Sequence, residues 1–177
     1  MDPEGNDFTI GAVVRLGVQT MRFRSLATLA LFLLLAACAP KRIPGTDIAD
    51  TSDTRAILNI VEKYRSAVEQ RDSDGVLKLV SLTFKDDAGT ATPEDDLDYH
   101  ALQKKLPERF AKLDEVHLDL SIRKVSVNED TGRASVIYYY NMSFKMPGLS
   151  ARTRSESEIK QMWLKREQGE WKITSGV

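Results

Sequence analysis

The sequence predicts an α+β domain in which three helices pack on a curved antiparallel sheet of about four long strands, and three observations carry that prediction. Apolar residues recur at helical spacing in two stretches before residue 81 and in a third that begins at Tyr99. Beyond Asp114 the period becomes two and holds to the end of the chain, apart from one slip of phase. Short turns rich in Gly, Asn and Pro separate the apolar runs of that second half, which joins consecutive strands antiparallel.

Taken in order, TRAILNIVEKYRSAVEQRD places Ile57, Ile60, Val61, Tyr64 and Val68 on one helix face, with Ser52 or Asp53 positioned to cap its start. DSDGVLKLVS is a second, shorter helix, capped by Asp72 or Ser73, with Val76, Leu77, Leu79 and Val80 to bury. FKDDAGTATPEDDLD sets six carboxylates between Asp86 and Asp98 and offers little to pack, so it reads as a loop. YHALQKKLPERFAKL resumes the helical spacing through Tyr99, Leu102, Leu106, Phe110 and Leu113. Pro107 inside it lacks a donor and crowds the preceding turn, which predicts a kink or a restart. VHLDLSI then alternates from Val116 to Ile122 and slips phase at Arg123-Lys124, the signature of a β-bulge.

After the NEDTG turn, Ala134, Val136, Tyr138, Tyr140, Met142, Phe144 and Met146 share one face of a strand. Ser135, Ile137, Tyr139, Asn141, Ser143 and Lys145 take the other. PGLSA turns the chain, a third strand runs from about Arg152 to Arg166, EQGE turns again, and WKITSGV closes the sheet.

Residues 21–38, MRFRSLATLALFLLLAAC, are of another kind. Two arginines precede an apolar run from Leu26 to Ala37, interrupted by Thr28, and small residues stand before Cys38. This is the layout of a secretory signal. The run of about 12 residues is short of the roughly 20 that a membrane-spanning helix needs. Leu35-Ala36-Ala37-Cys38 resembles the lipobox of bacterial lipoproteins. The resemblance implies cleavage between Ala37 and Cys38 and a diacylglycerol on the Cys38 thiol, an anchor worth about 0.8 kcal/mol per buried CH₂. Ala39, where an Asp is absent, resembles lipoproteins sent on to the outer membrane, so the expected location is the cell envelope, facing the periplasm.

Asp2, Glu4 and Asp7 do not suit the positive start of a signal, whereas Met21-Arg22-Phe23-Arg24 supplies it. Residues 1–20 are therefore expected to be an over-extended start, 21–37 a signal peptide, 38–53 a tether rich in Pro, Gly, Thr and Asp, and 54–177 the domain.

Composition narrows the function. With 25 basic and 26 acidic residues and a formal net charge of −1, the chain has no basic field for nucleic acid. A single cysteine forbids an intramolecular disulfide, and His100 and His117 have no cysteine near them, which excludes a Cys/His zinc site. The acidic loop lacks the spaced oxygen ligands and central Gly of a calcium loop. No cofactor is expected.

YRSAVEQRDSDGVLKLVS and the closing GEWKITSG, with Trp171-Lys172-Ile173, resemble the nuclear-transport-factor-2-like superfamily, the cone-shaped fold of ketosteroid isomerases and polyketide cyclases. The resemblance spans most of residues 54–177, and none of its motifs is catalytic. It implies a pocket on the concave face of the sheet, with Val116, Leu118, Leu120, Tyr138, Tyr140, Met142, Trp163, Trp171 and Ile173 inward. Tyr138, Tyr140, Trp163 and Trp171 are the pocket candidates, and each is also what a plain core would contain.

An isomerase or dehydratase of that fold needs an Asp, Glu or His in the pocket. The inward positions of the first two strands supply none; the third strand offers two phases, one with Ser155, Ser157, Ile159, Gln161 and Trp163 and the other with Glu156, Glu158, Met162 and Leu164, and if Ile159 and Trp163 point in, the glutamates point out. His100, beside Asp98 and Tyr99, is the remaining candidate base, while His117 and Asp119 share the outer face. The leading expectation is a lipid-anchored, non-catalytic module that binds a small apolar ligand or a partner protein. The alternatives are an isomerase or dehydratase, and a structural homodimer or envelope-assembly subunit using the outer face at Ile137 and Tyr139.

Overall fold

A computed structural model of the chain describes residues 41–87, 96–146 and 150–177. The signal segment, Cys38 and the middle of the acidic loop lie outside the described residues. Helix α1 spans Ser52–Glu69 and buries Ile57, Val61, Tyr64, Ala67 and Val68, the face its spacing predicts. Its cap is Thr51, one residue before the expected Ser52 or Asp53: the Thr51 hydroxyl accepts from the Thr54 amide at 3.1 Å. Asp53 sits in the first turn instead, where the helix dipole favours a carboxylate.

Helix α2, Ser73–Leu79, starts as expected on Asp72, whose carboxylate accepts from Gly75 at 2.9 Å. A Cβ on Gly75 would overlap that carboxylate, which would have to shift to make room. The ends of the acidic stretch are not loop but a short antiparallel ladder, β1 (Lys85–Asp86) with β2 (Leu97–Asp98), anchored by the buried Phe84. Helix α3, Tyr99–Phe110, is capped by Asp98 and runs through Pro107 without restarting. The Pro107 ring lies on the exposed side, and Leu106 and Phe110 are buried on either side of it, so packing holds the last turn despite the missing donor.

Four antiparallel strands follow in sequence order: β3 (Asp114–Asn128), β4 (Arg133–Met146), β5 (Ser150–Glu167) and β6 (Glu170–Ser175). The register of β3 on β4 shifts between Ile122 and Lys124, the predicted bulge, which lets Ile122 pair Tyr138 and Val125 pair Val136. Gln168 and Gly169, both at positive φ, make the two-residue turn whose twist suits a hairpin. Helix α1 lies against β3 and β6, and β4 supplies the centre of the core with Val136, Tyr138, Tyr140, Met142 and Phe144. Three helices on one face of a curved four-stranded sheet make the cone-shaped α+β fold.

One segment departs from its expected role. Residues 41–50, read as tether, fold back on themselves: Ile43 and Ile48 bond at 2.9 Å, Asp50 donates to Lys41 at 2.7 Å, and Ile48 is buried. Arg55 closes the turn onto α1 through two bonds to Asp50, of 2.5 and 2.8 Å, and this guanidinium holds the Asp50 carboxyl below the usual carboxylate range. Pro44-Gly45 read as linker composition, but it is equally turn composition, and the apolar Ile48 decides between them.

Candidate functional site

A cavity of about 490 Å³ lies between the helices and the sheet. Its walls are Tyr64 and Val68 of α1, Leu102, Leu106 and Phe110 of α3, and Tyr140, Met142 and Phe144 of β4. Each wall follows from periodicity: i, i+4 spacing on α1 and α3, alternation on β4. The size and the apolar lining are those of a small-molecule site.

Three tyrosines meet at this end of the core. Tyr138 is fully buried and donates to the Gly176 carbonyl at 3.1 Å. Gly176 is at positive φ and lies so close to the Gln161 carbonyl that any Cβ would overlap it, which brings its own carbonyl within reach of Tyr138. The Tyr140 hydroxyl faces the Met142 sulfur at 2.7 Å. The hydroxyl of Tyr64 has no hydrogen-bond partner among the described residues, and Tyr64 lines the cavity.

Burial, and then the carboxylates of Glu156 and Glu158, push the Tyr140 phenol up to about 12. Burial and then Tyr140 push Tyr138 up, and burial and then Tyr138 and Tyr140 push Tyr64 well above the ordinary phenol value. All three stay protonated at neutral pH and present donors rather than bases.

Of the four pocket candidates, Tyr140 lines the cavity and Tyr138 stands behind it in the core. Trp171 is buried but serves elsewhere: its indole donates to Asp53 at 3.3 Å and Arg166 stacks 4.8 Å from its ring, with an Arg166–Asp53 ion pair closing the group. It fastens the start of α1 to the last hairpin.

Trp163 is not in this cavity: it is 48% exposed and borders separate grooves with Asp86, Leu97 and Ser175, and Ile159 is 73% exposed. The phase of β5 is set by Met162 and Leu164, both buried opposite Val136 and Ala134. The expected inward residues are therefore outward, and Glu156 and Glu158, expected outward, pair with Met142 and Tyr140 on the concave side. Glu156 lines the cavity together with Arg109, Lys112, Arg154 and Lys160. Sequence reasoning missed these four cations and Tyr64. The signal was the even parity that Arg154, Glu156 and Lys160 share with Met162 and Leu164.

The histidines stand apart from the cavity. His100 is exposed, edge-on to Tyr99 at 6.0 Å between ring centres, and is not among the lining residues. His117 is exposed, with Nδ1 2.9 Å from a Glu69 oxygen that also accepts from the Leu118 amide, so its partner is Glu69 rather than Asp119. Among the described residues no group of three His, Cys, Asp or Glu side chains could hold a metal ion, and no helix is long and apolar enough to cross a membrane.

No protein-family model matches the chain, and no curated protein matches it. Solved structures do. A proposed aromatic ring hydroxylase from Novosphingobium aromaticivorans is 20% identical with a TM-score of 0.60, over 70% of this chain and 85% of that one. A proposed scytalone dehydratase from the same organism is 16% identical with a TM-score of 0.56, over 70% and 80%. A nuclear-transport-factor-2-like superfamily protein from Salmonella enterica is 10% identical with a TM-score of 0.60, over 71% and 90%. At such identities the likeness is one of fold, and the fold is nuclear-transport-factor-2-like.

Proposed function

We propose that this is a lipid-anchored protein of the bacterial envelope whose domain holds a small apolar ligand without transforming it. The observation that carries the reading is the cavity of about 490 Å³ walled by Leu102, Leu106, Phe110, Met142 and Phe144. Support also comes from the tyrosines, since Tyr138 and Tyr140 spend their hydroxyls on internal contacts. The anchor rests on Leu35-Ala36-Ala37-Cys38, with cleavage after Ala37, lipid on Cys38 and the outer membrane as destination. Mass spectrometry of the full chain purified from its own envelope tests both halves. A diacylglyceryl mass on Cys38 and a defined co-purifying small molecule are expected; an unmodified Cys38 overturns the anchor, and an empty cavity in every preparation overturns the ligand.

A second reading is an enzyme of the isomerase or dehydratase kind. It is favoured by Glu156 and Tyr140 sharing the cavity, and by the proposed dehydratase and hydroxylase among the similar folds. Turnover of a cyclic ketone or polyketide-like substrate that Glu156→Gln abolishes would establish it. A third is a homodimer or assembly subunit, or a partner-protein surface, on the outer face, where Tyr139, Ile159 and Trp163 are exposed together. A concentration-independent monomer mass in sedimentation rules out the dimer.

A further inference from the structure

The rim of the cavity has a lopsided charge. Arg109 in the last turn of α3 and Lys112 just beyond it meet Arg154, Glu156 and Lys160 of β5, four cations against one carboxylate in a chain of net charge −1. Arg154 pairs with Phe144 across the ladder, so the alternation of β5 directs Arg154, Glu156, Glu158 and Lys160 to the concave side at steps of about 7 Å. Lys160 is engaged, 3.1 Å from Glu158 and 4.5 Å above the ring of Tyr140. Among the described residues no ion pair engages Arg109, Lys112 or Arg154.

Among the described residues Arg109, Lys112 and Arg154 share the mouth of this apolar chamber with one unpaired carboxylate, Glu156, which leaves an excess of positive charge that a neutral ligand does not change. An anion at the mouth relieves it, and two of the three are arginines, whose planar forks match a carboxylate in two parallel bonds. The helix dipole accounts for a cation at the end of α3 but not for Arg154, which comes from a strand.

We propose that the ligand is an amphiphilic carboxylate: an apolar chain or ring between α3 and β4, and one carboxylate held at Arg109, Lys112 and Arg154. This rests on the cavity being a ligand site, as proposed above, and adds the charge of the occupant.

The two ideas separate in one experiment on the full chain carrying methyl-labelled methionine. Met142 and Met146 line the cavity, and Met162 is buried outside it, which gives two reporters and an internal control of folding. Decanoate and decanol are titrated into the unaltered protein and into the Arg109→Gln/Arg154→Gln variant. The expected result is that decanoate moves the Met142 and Met146 signals, and that its half-saturation rises about tenfold in the variant while that of decanol is unchanged. Comparing each probe with itself across the two proteins cancels its partition into detergent. Equal changes for both probes, or none, overturn the carboxylate proposal and leave the cavity as a ligand site. Failure of both probes to move either reporter in the unaltered protein overturns the two together. If the Met162 signal shows the variant misfolded, raising salt from about 0.01 to 1 M on the unaltered protein takes its place, and decanoate binding that is insensitive to salt overturns the proposal.

Discussion

The two halves of β5 carry opposite patterns on the same face. From Trp163 to Lys165 the strand pairs with both β4 and β6, and the inward side chains of this half, Met162 and Leu164, are exposed to only 0% and 1%. From Arg152 to Lys160 it pairs with β4 but not with β6, and the same face carries Arg154, Glu156, Glu158 and Lys160. What a strand places inward is thus set by what covers it. Under the helices it must be apolar, and at the mouth of a cavity it is free to be charged.

The sharpest way to break this contrast is to truncate the covered half. Leu164→Ala should lower stability by about 3 kcal/mol in chemical denaturation, through lost burial and the cavity left behind. A loss under about 1 kcal/mol would mean that this half is not held as described. Tyr138→Phe comes next: it removes the hydrogen bond to the half-buried Gly176 carbonyl and should cost about 1 kcal/mol by the same measurement.

Alkaline titration sharpens the link between the halves, because Glu156 and Glu158 of the charged half act on Tyr140 of β4. The folded Tyr140 phenol stands above its ordinary value of 10, at about 12. Its contribution to stability is therefore complete below about pH 10 and is lost as pH rises through 12, since the unfolded chain releases the proton first. Unfolding midpoints should fall over that window, and Tyr140→Phe should flatten the fall. Smallest is the effect on the outer face of the uncovered half: Ile159→Ala should change stability by less than about 0.5 kcal/mol, and a larger loss would reveal a covering partner.

The same contrast explains what could be read from the sequence. The faces of α1, α3 and β4 were legible because each carries five or more apolar residues at one period, and the bulge at Arg123-Lys124 because a phase slip interrupts perfect alternation. The phase of β5 was not. Ile159 and Trp163 outweigh Met162 and Leu164 in size and β-propensity, and only the position of the helices makes the smaller pair the buried one. The cavity tyrosine Tyr140 followed from β4 alternation. Tyr64, Arg109 and Lys112 needed the tertiary meeting of α1 and α3 with the sheet, which no local period records. The turn at 41–50 was hidden because Pro, Gly and Asp suit a tether and a turn alike.

The stretch of β5 beyond β6 has a consequence for the protein's behaviour among its neighbours. A long strand edge that no other described strand covers is a template on which a foreign chain, or another copy caught during folding, could add itself. Here that edge carries positive, negative, negative and positive side chains at every second position from Arg154 to Lys160, and any strand laid along it would have to match that order or bring like charges together. The charges at the cavity mouth therefore also guard the chain against aggregation, and neutralising them for any purpose should make the protein harder to keep in solution.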